Sequence, residues 1–182
     1  MTIHRGIRHL AFIVVVGLVS CWLNSAHAAD TEYRLAPGDR VKVIVFGHED
    51  LSGEYEVDSE GRLPLPLIKS VQAAGLTIQE VEQAITDKLQ PDYLKNPKVG
   101  VVMLEYRPFY ILGEVKNPGS YPYSSNLTVV SAVALAGGYT YRARKSRIVI
   151  IRANDPDQKK IPADSNTPVL PGDVIEVPER FF

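Results

Sequence analysis

Apolar residues are spread unevenly along this chain. They first form an almost unbroken run from Leu10 to Leu23 (LAFIVVVGLVSCWL) and later recur in short bursts punctuated by Pro and Gly. Arg5 and Arg8 precede the long run, and Ala26-His27-Ala28 follow it. A positive stretch, an apolar stretch and small residues at a cleavage point make a secretory signal peptide over residues 1–28. A bilayer-spanning helix takes roughly 20 apolar residues, more than this run offers. Leu18-Val19-Ser20-Cys21 also reads as a lipobox, with Cys21 as a lipidated N-terminus. Trp22 and Leu23 carry the apolar run past that cysteine and favour cleavage after Ala28, with the lipoprotein as the alternative.

Beyond the leader the periodicities are mixed. Val41 to Phe46 is β-branched and semi-alternating, which predicts a strand. Glu54 to Val57 and Arg62 to Leu67, on either side of Asp58-Ser59-Glu60-Gly61, predict a hairpin. Thr77-Ile78-Gln79-Glu80 is a capping box, and Ile78, Val81, Ile85 and Leu89 mark one helical face that Pro91 ends. Asn96-Pro97 opens a strand over Val99 to Glu105, and Arg107-Pro108 breaks the chain. A second unit starts at Phe109 to Val115 and turns at Asn117-Pro118-Gly119. It enters a short helix at Thr128, leaves it at Gly137-Gly138, and returns in strands over Arg147 to Arg152 and Val174 to Val177. These elements predict an α+β chain with domains at 29–106 and 107–182.

The leader changes the chemical inventory. Of 182 residues, 20 are Lys or Arg and 21 are Asp or Glu. Residues 1–28 hold two Arg and no Lys, Asp or Glu, so cleavage moves the net charge from -1 to -3. Neither value suits a nucleic-acid binder. Cys21 is the single cysteine, and three of the four histidines lie in the leader, leaving His48. A Cys/His nucleophile pair is thereby excluded, and a zinc site would need one His plus carboxylates. His48-Glu49-Asp50 reads better as a loop than as a metal site. No cofactor and no catalytic residue is assigned.

Two segments echo each other. Leu35-Ala36-Pro37-Gly38-Asp39 and Leu170-Pro171-Gly172-Asp173 each precede a strand. Pro-Gly is the central pair of a type II turn, and the following Asp bonds nearby amides. Pro37, Gly38, Asp39, Pro171, Gly172 and Asp173 are therefore read as turn formers. After the double glycine come Tyr139, Tyr141, Arg142, Arg144, Lys145 and Arg147. Tyr139 and Tyr141, with Tyr106, Phe109, Tyr110, Tyr121 and Tyr123, read first as core or subunit contacts, and in the alternative as surfaces for sugar stacking. The four basic residues read first as a solvated loop and strand edge. In the alternative they are contacts for an acidic polysaccharide or for a partner's acidic face. Gly137-Gly138 follows a helix instead of opening one and is not a phosphate loop.

Taken together, the motifs resemble a known family. Tyr33-Arg34-Leu35-x-Pro37-Gly38-Asp39, Glu49-Asp50-Leu51, Val57-Asp58-x-x-Gly61, Leu65-Pro66-Leu67-Ile68, Gly75-Leu76-Thr77 and Asn96-Pro97-x-Val99 resemble the polysaccharide biosynthesis/export domain. Gly113-Glu114-Val115-x-x-Pro118-Gly119, Leu127-Thr128-Val129, Ala136-Gly137-Gly138-x-Thr140 and Leu170-Pro171-Gly172-Asp173-x-Ile175-x-Val177 resemble one SLBB domain, a β-grasp module. The chain is thus similar to the Wza-like outer-membrane polysaccharide exporters.

The resemblance implies a homo-oligomeric ring at the periplasmic face of the outer membrane that conducts capsular or exopolysaccharide. It also implies an inner-membrane co-polymerase as partner. The sequence departs from the best-known members in stopping at Phe182 without a terminal amphipathic helix. The expectation is a collar or conduit that relies on a separate outer-membrane channel protein. The alternative is a monomeric periplasmic glycan-binding module. An enzyme is disfavoured, because the acids fall in turns and in the capping box.

Overall fold

The computed structural model describes residues 33–90 and 92–180. The leader, the Cys21 lipidation site and the helix-ending role of Pro91 lie outside the described residues. The rest forms an α+β structure around two hydrophobic cores.

The first core is built on β1 (Arg40–Val45), whose Val41, Val43 and Val45 point inward. Strand β2 (Gly53–Glu56) pairs antiparallel on one side of it. Strands β3 (Arg62–Leu65) and β4 (Lys69–Gln72) form a separate two-stranded ribbon. Helix α1 (Ile78–Leu89) follows, and β5 (Val99–Glu105) completes the first sheet in the order β2-β1-β5.

Two expectations are corrected here. Phe46 falls outside β1 and is 77% exposed. The segments on either side of residues 58–61 do not pair as a hairpin. The tight turn exists: Asp58 accepts the amides of Glu60 and Arg62, and Gly61 has φ 78°. The chain then reverses again at Pro66-Leu67-Ile68, with Leu67 and Lys69 at φ 62° and 63°, so β3 meets β4. Leucine and lysine in left-handed geometry are uncommon, and sequence pattern does not foretell a turn made of them.

Helix α1 forms where its cap and its apolar spacing agree. Thr77 Oγ1 accepts from the Glu80 amide at 3.2 Å, and Glu80 Oε2 accepts from the Thr77 amide at 2.8 Å. Val81, Ile85 and Leu89 are buried against the sheet. On a neighbouring face, Glu82 Oε1 accepts the Val101 amide of β5 at 2.8 Å. Thr77→Ala is expected to cost about 1 kcal/mol, the usual worth of such a cap, in urea denaturation followed by circular dichroism. An unchanged midpoint would show that packing alone holds the helix. The Thr77 amide, and then Arg34, hold the Glu80 carboxyl below its ordinary range. A depressed carboxylate contributes stability above its unfolded pKa and loses it as pH falls through the folded one.

The second core lies under a five-stranded sheet. Its strands are β6 (Phe109–Gly113), β7 (Gly119–Tyr121), β8 (Val149–Ile151), β9 (Lys160–Pro162) and β10 (Val174–Val177), in the order β7-β6-β10-β8-β9. First and last strands, β6 and β10, run parallel at the centre, and the other pairs are antiparallel. Helix α2 (Val129–Leu135) buries Val129, Ala132 and Val133 in the same core as Phe109, Ile111 and Ile175. This is the β-grasp arrangement.

Thr128 is the N-cap of α2, yet its side chain makes no capping bond. Its hydroxyl instead lies 3.2 Å from the Ser131 hydroxyl. The carbonyls of Thr167 and Ser165 take the amides of Val129 and Val130 at 3.0 Å. The helix ends as expected, with Gly137 and Gly138 at φ 81° and 91°. The strand expected over Arg147 to Arg152 is shorter, because a 3-10 turn occupies Lys145–Arg147.

Candidate functional site

Both Pro-Gly turns close in the same way. Gly38 and Gly172 have φ 90° and 83°, and the amides of Asp39 and Asp173 donate to the carbonyls of Ala36 and Leu170 at 3.1 and 3.2 Å. The two carboxylates are buried and fully engaged. Asp39 Oδ2 accepts from the Tyr33 hydroxyl at 2.6 Å and the Ala36 amide at 2.8 Å, and its Oδ1 accepts from the Arg107 amide at 2.8 Å. Asp173 Oδ2 accepts from Arg152 Nη1 at 2.6 Å and the Leu170 amide at 2.7 Å, and its Oδ1 from the Ala153 amide at 3.3 Å. Such donors offset the cost of removing a charged carboxylate from water.

The turns meet at one residue. The Arg107 amide serves Asp39 of the first turn, while its Nε donates to the Pro171 carbonyl of the second at 3.1 Å. Its Nη2 donates to Asn154 Oδ1 at 3.2 Å, and the Gly172 amide donates to the Pro108 carbonyl at 3.1 Å. A side chain at position 172 would collide with Arg107, so glycine is required there for space as well as for φ. An aromatic ladder runs beside this junction. Tyr33 and Tyr106 meet edge-on at 4.9 Å between centroids, and Tyr106 and Tyr123 at 5.3 Å. Burial, and then the bond to Asp39, push the Tyr33 hydroxyl well above the phenol range, so it remains a donor.

Tyr139, Tyr141, Arg142, Arg144 and Lys145 lie on one loop, which the segment 178–180 holds in place. Arg144 donates its amide to the Pro178 carbonyl at 2.8 Å, and Arg142 pairs with Glu179. Tyr139 packs against the second core, and the Lys145 ammonium lies 5.2 Å from its ring centroid. Burial raises the Tyr139 hydroxyl above its usual range. Tyr141 is 82% exposed. Among the described residues, Arg144, Lys145 and Arg147 make no ion pair. The loop therefore carries net positive charge beside an exposed ring. His48-Glu49-Asp50 occupies a surface loop closed by a 3-10 turn over Glu49–Leu51 that buries Leu51. Among the described residues no group of three or more potential ligands could hold a metal ion.

Sequence reasoning treated Arg107 only as a chain break. Its one signal was an Arg-Pro pair at the join of two predicted units. Tyr110 stood out only as one of the second unit's many aromatics, and Asn154 gave no signal, since only folding brings them beside Arg107.

Comparison with known proteins places these features. The polysaccharide biosynthesis/export protein family matches residues 27–104, and the SLBB domain matches residues 108–163. An exopolysaccharide production protein of Rhizobium meliloti is 40% identical over 119 residues, covering 59% of this chain and 28% of that protein. A polysialic acid transport protein of Escherichia coli is 30% identical over 126 residues, covering 68% of this chain and 23% of that protein. An outer-membrane EPS I polysaccharide export protein of Ralstonia nicotianae is 28% identical over 188 residues, covering 84% and 49%. The chain thus spans between about a quarter and a half of the length of these relatives. With an export domain around the first core and an SLBB domain around the second, the chain belongs to the polysaccharide biosynthesis/export protein family.

Proposed function

We propose that this chain is a non-enzymatic component of a polysaccharide export system at the periplasmic face of the outer membrane. It acts there as a homo-oligomeric collar or conduit and depends on a separate outer-membrane channel protein. An inner-membrane co-polymerase is its second partner. The observation that carries this reading is the succession of an export domain and an SLBB domain along one chain. The relatives' descriptions as exopolysaccharide production, polysialic acid transport and polysaccharide export proteins support it.

Reliance on a separate channel is supported by the elements themselves. No helix among the described residues is long and apolar enough to cross a membrane. The sheets of the described residues are open, and the widest has five short strands.

Two measurements test the proposal. Deleting the gene should stop polysaccharide from reaching the medium while it accumulates inside the cell. The purified protein should sediment at several times its protomer mass and open no channel in a planar bilayer. A monodisperse monomer would favour the glycan-binding module instead, and stable conductance would remove the need for a channel partner.

A further inference from the structure

An open groove of about 400 Å³ lies where the two Pro-Gly turns meet. Pro37, Arg107, Pro108, Tyr110, Ala153 and Asn154 are among its lining residues. We propose that this groove is a subsite for one carboxylated sugar unit of an anionic polysaccharide. The proposal rests on the export reading and names the class of glycan at a defined place.

Charge is the first argument. The Arg107 guanidinium bonds to neutral oxygens, the Pro171 carbonyl and Asn154 Oδ1, and also lies against the Tyr33 hydroxyl. Among the described residues it makes no ion pair. Several other arginines of this chain do: Arg152 with Asp173, Arg142 with Glu179, Arg40 with Glu54 and Glu105, and Arg34 with Glu80, whereas Arg144 and Arg147 on the basic loop do not. A half-buried guanidinium with no salt-bridge partner of its own, the nearby Asp39 being bonded to Tyr33 and to backbone amides, favours a carboxylate, which its planar fork matches. A lone cation with no helix N-terminus beside it suits one carboxylate better than a phosphate chain.

The walls supply the second argument. Pro37, Pro108 and Ala153 are apolar, and Tyr110 on β6 is 42% exposed. Pyrrolidine and phenol faces suit the C–H face of a pyranose. Asn154 spends its carbonyl oxygen on Arg107, which leaves its amide N–H groups as donors to hydroxyls. The volume falls at the small end of ligand sites, as one sugar unit requires. The groove draws walls from both domains, so it exists only while the junction is intact.

The test is a titration of the ¹⁵N-labelled protein with sodium glucuronate, glucose and inorganic phosphate. Glucuronate should shift the amides of Gly38, Arg107, Asn154 and Gly172 saturably. Glucose and phosphate should each bind at least about tenfold more weakly. Arg107→Gln should weaken glucuronate binding by about tenfold or more. Because Arg107 also ties the turns together, Tyr110→Ala provides an independent arm: an unchanged melting temperature with severalfold weaker binding.

Silent amides, equal responses to glucose or phosphate, or shifts confined to residues 139–147 would overturn the subsite. So would an acidic peptide that binds the groove as well as glucuronate does. The cellular experiment keeps the two readings apart. If export survives deletion of the gene, the export reading fails, whatever the titration shows. If export stops but the groove ignores glucuronate, the subsite alone fails.

Discussion

Gly113→Ala is expected to lower stability by about 3 kcal/mol or more, enough to lose the second core under mild conditions. Gly113 ends β6 at φ 87°, a conformation in which a Cβ is strained before any contact is counted. The added methyl would also lie closer than 3.0 Å to the carbonyl oxygen of Val177. That oxygen is not free to move. It accepts the Glu114 amide at 2.8 Å, and Val177 is in register opposite Gly113 in the central parallel pair. Gly172 is also tight, but it meets side-chain atoms, those of Arg107 and the Ala153 methyl, and no backbone. Gly119→Ala is the control, since a Cβ there meets nothing within 4 Å; it should change stability by less than about 1 kcal/mol. Urea denaturation of both variants, followed by tyrosine fluorescence, decides the matter. Equal midpoints would mean that the β6–β10 pairing is misplaced.

The second large effect belongs to Asp173. Asp173→Ala should cost about 2–4 kcal/mol. It leaves Arg152 without its partner at 2.6 Å and removes the acceptor of the Leu170 and Ala153 amides. The arginine side chain is 26% exposed and keeps some hydration, which holds the loss below that of a fully buried pair. Arg152→Gln on the Asp173→Ala background should add little, because the pair is already broken. A double variant with fully additive losses would show that the two side chains contribute separately.

Legibility of the sequence followed the range of the forces involved. Helix α1 was readable because its capping box and apolar spacing are local and agree. Strand β1 was readable from its alternating valines, and the Pro-Gly turns from their dipeptides. The ribbon β3–β4 was not, since it depends on left-handed Leu67 and Lys69. Strands β7 and β9 were hidden by their length of three residues each, too short to show a period. The basic loop was visible as a charge cluster, but its tether to Glu179 and Pro178 spans more than 30 residues. The groove as a site was invisible for the same reason: Tyr110, one of several aromatics in the second unit, Arg107 and Asn154 come together only through the turns.

The Asp39–Arg107–Pro171 chain of bonds also has a mechanical meaning. Consecutive domains on a polypeptide usually pivot about their linker. Here the linker's own amide is pinned to one domain and its side chain to the other, and the Gly172 amide is tied to the Pro108 carbonyl, so bending would have to break bonds at the junction. The chain then behaves as a stiff stave instead of a jointed arm. In the collar proposed above, the bore would then change by sliding at the seams between copies, while flexing within one copy would contribute little.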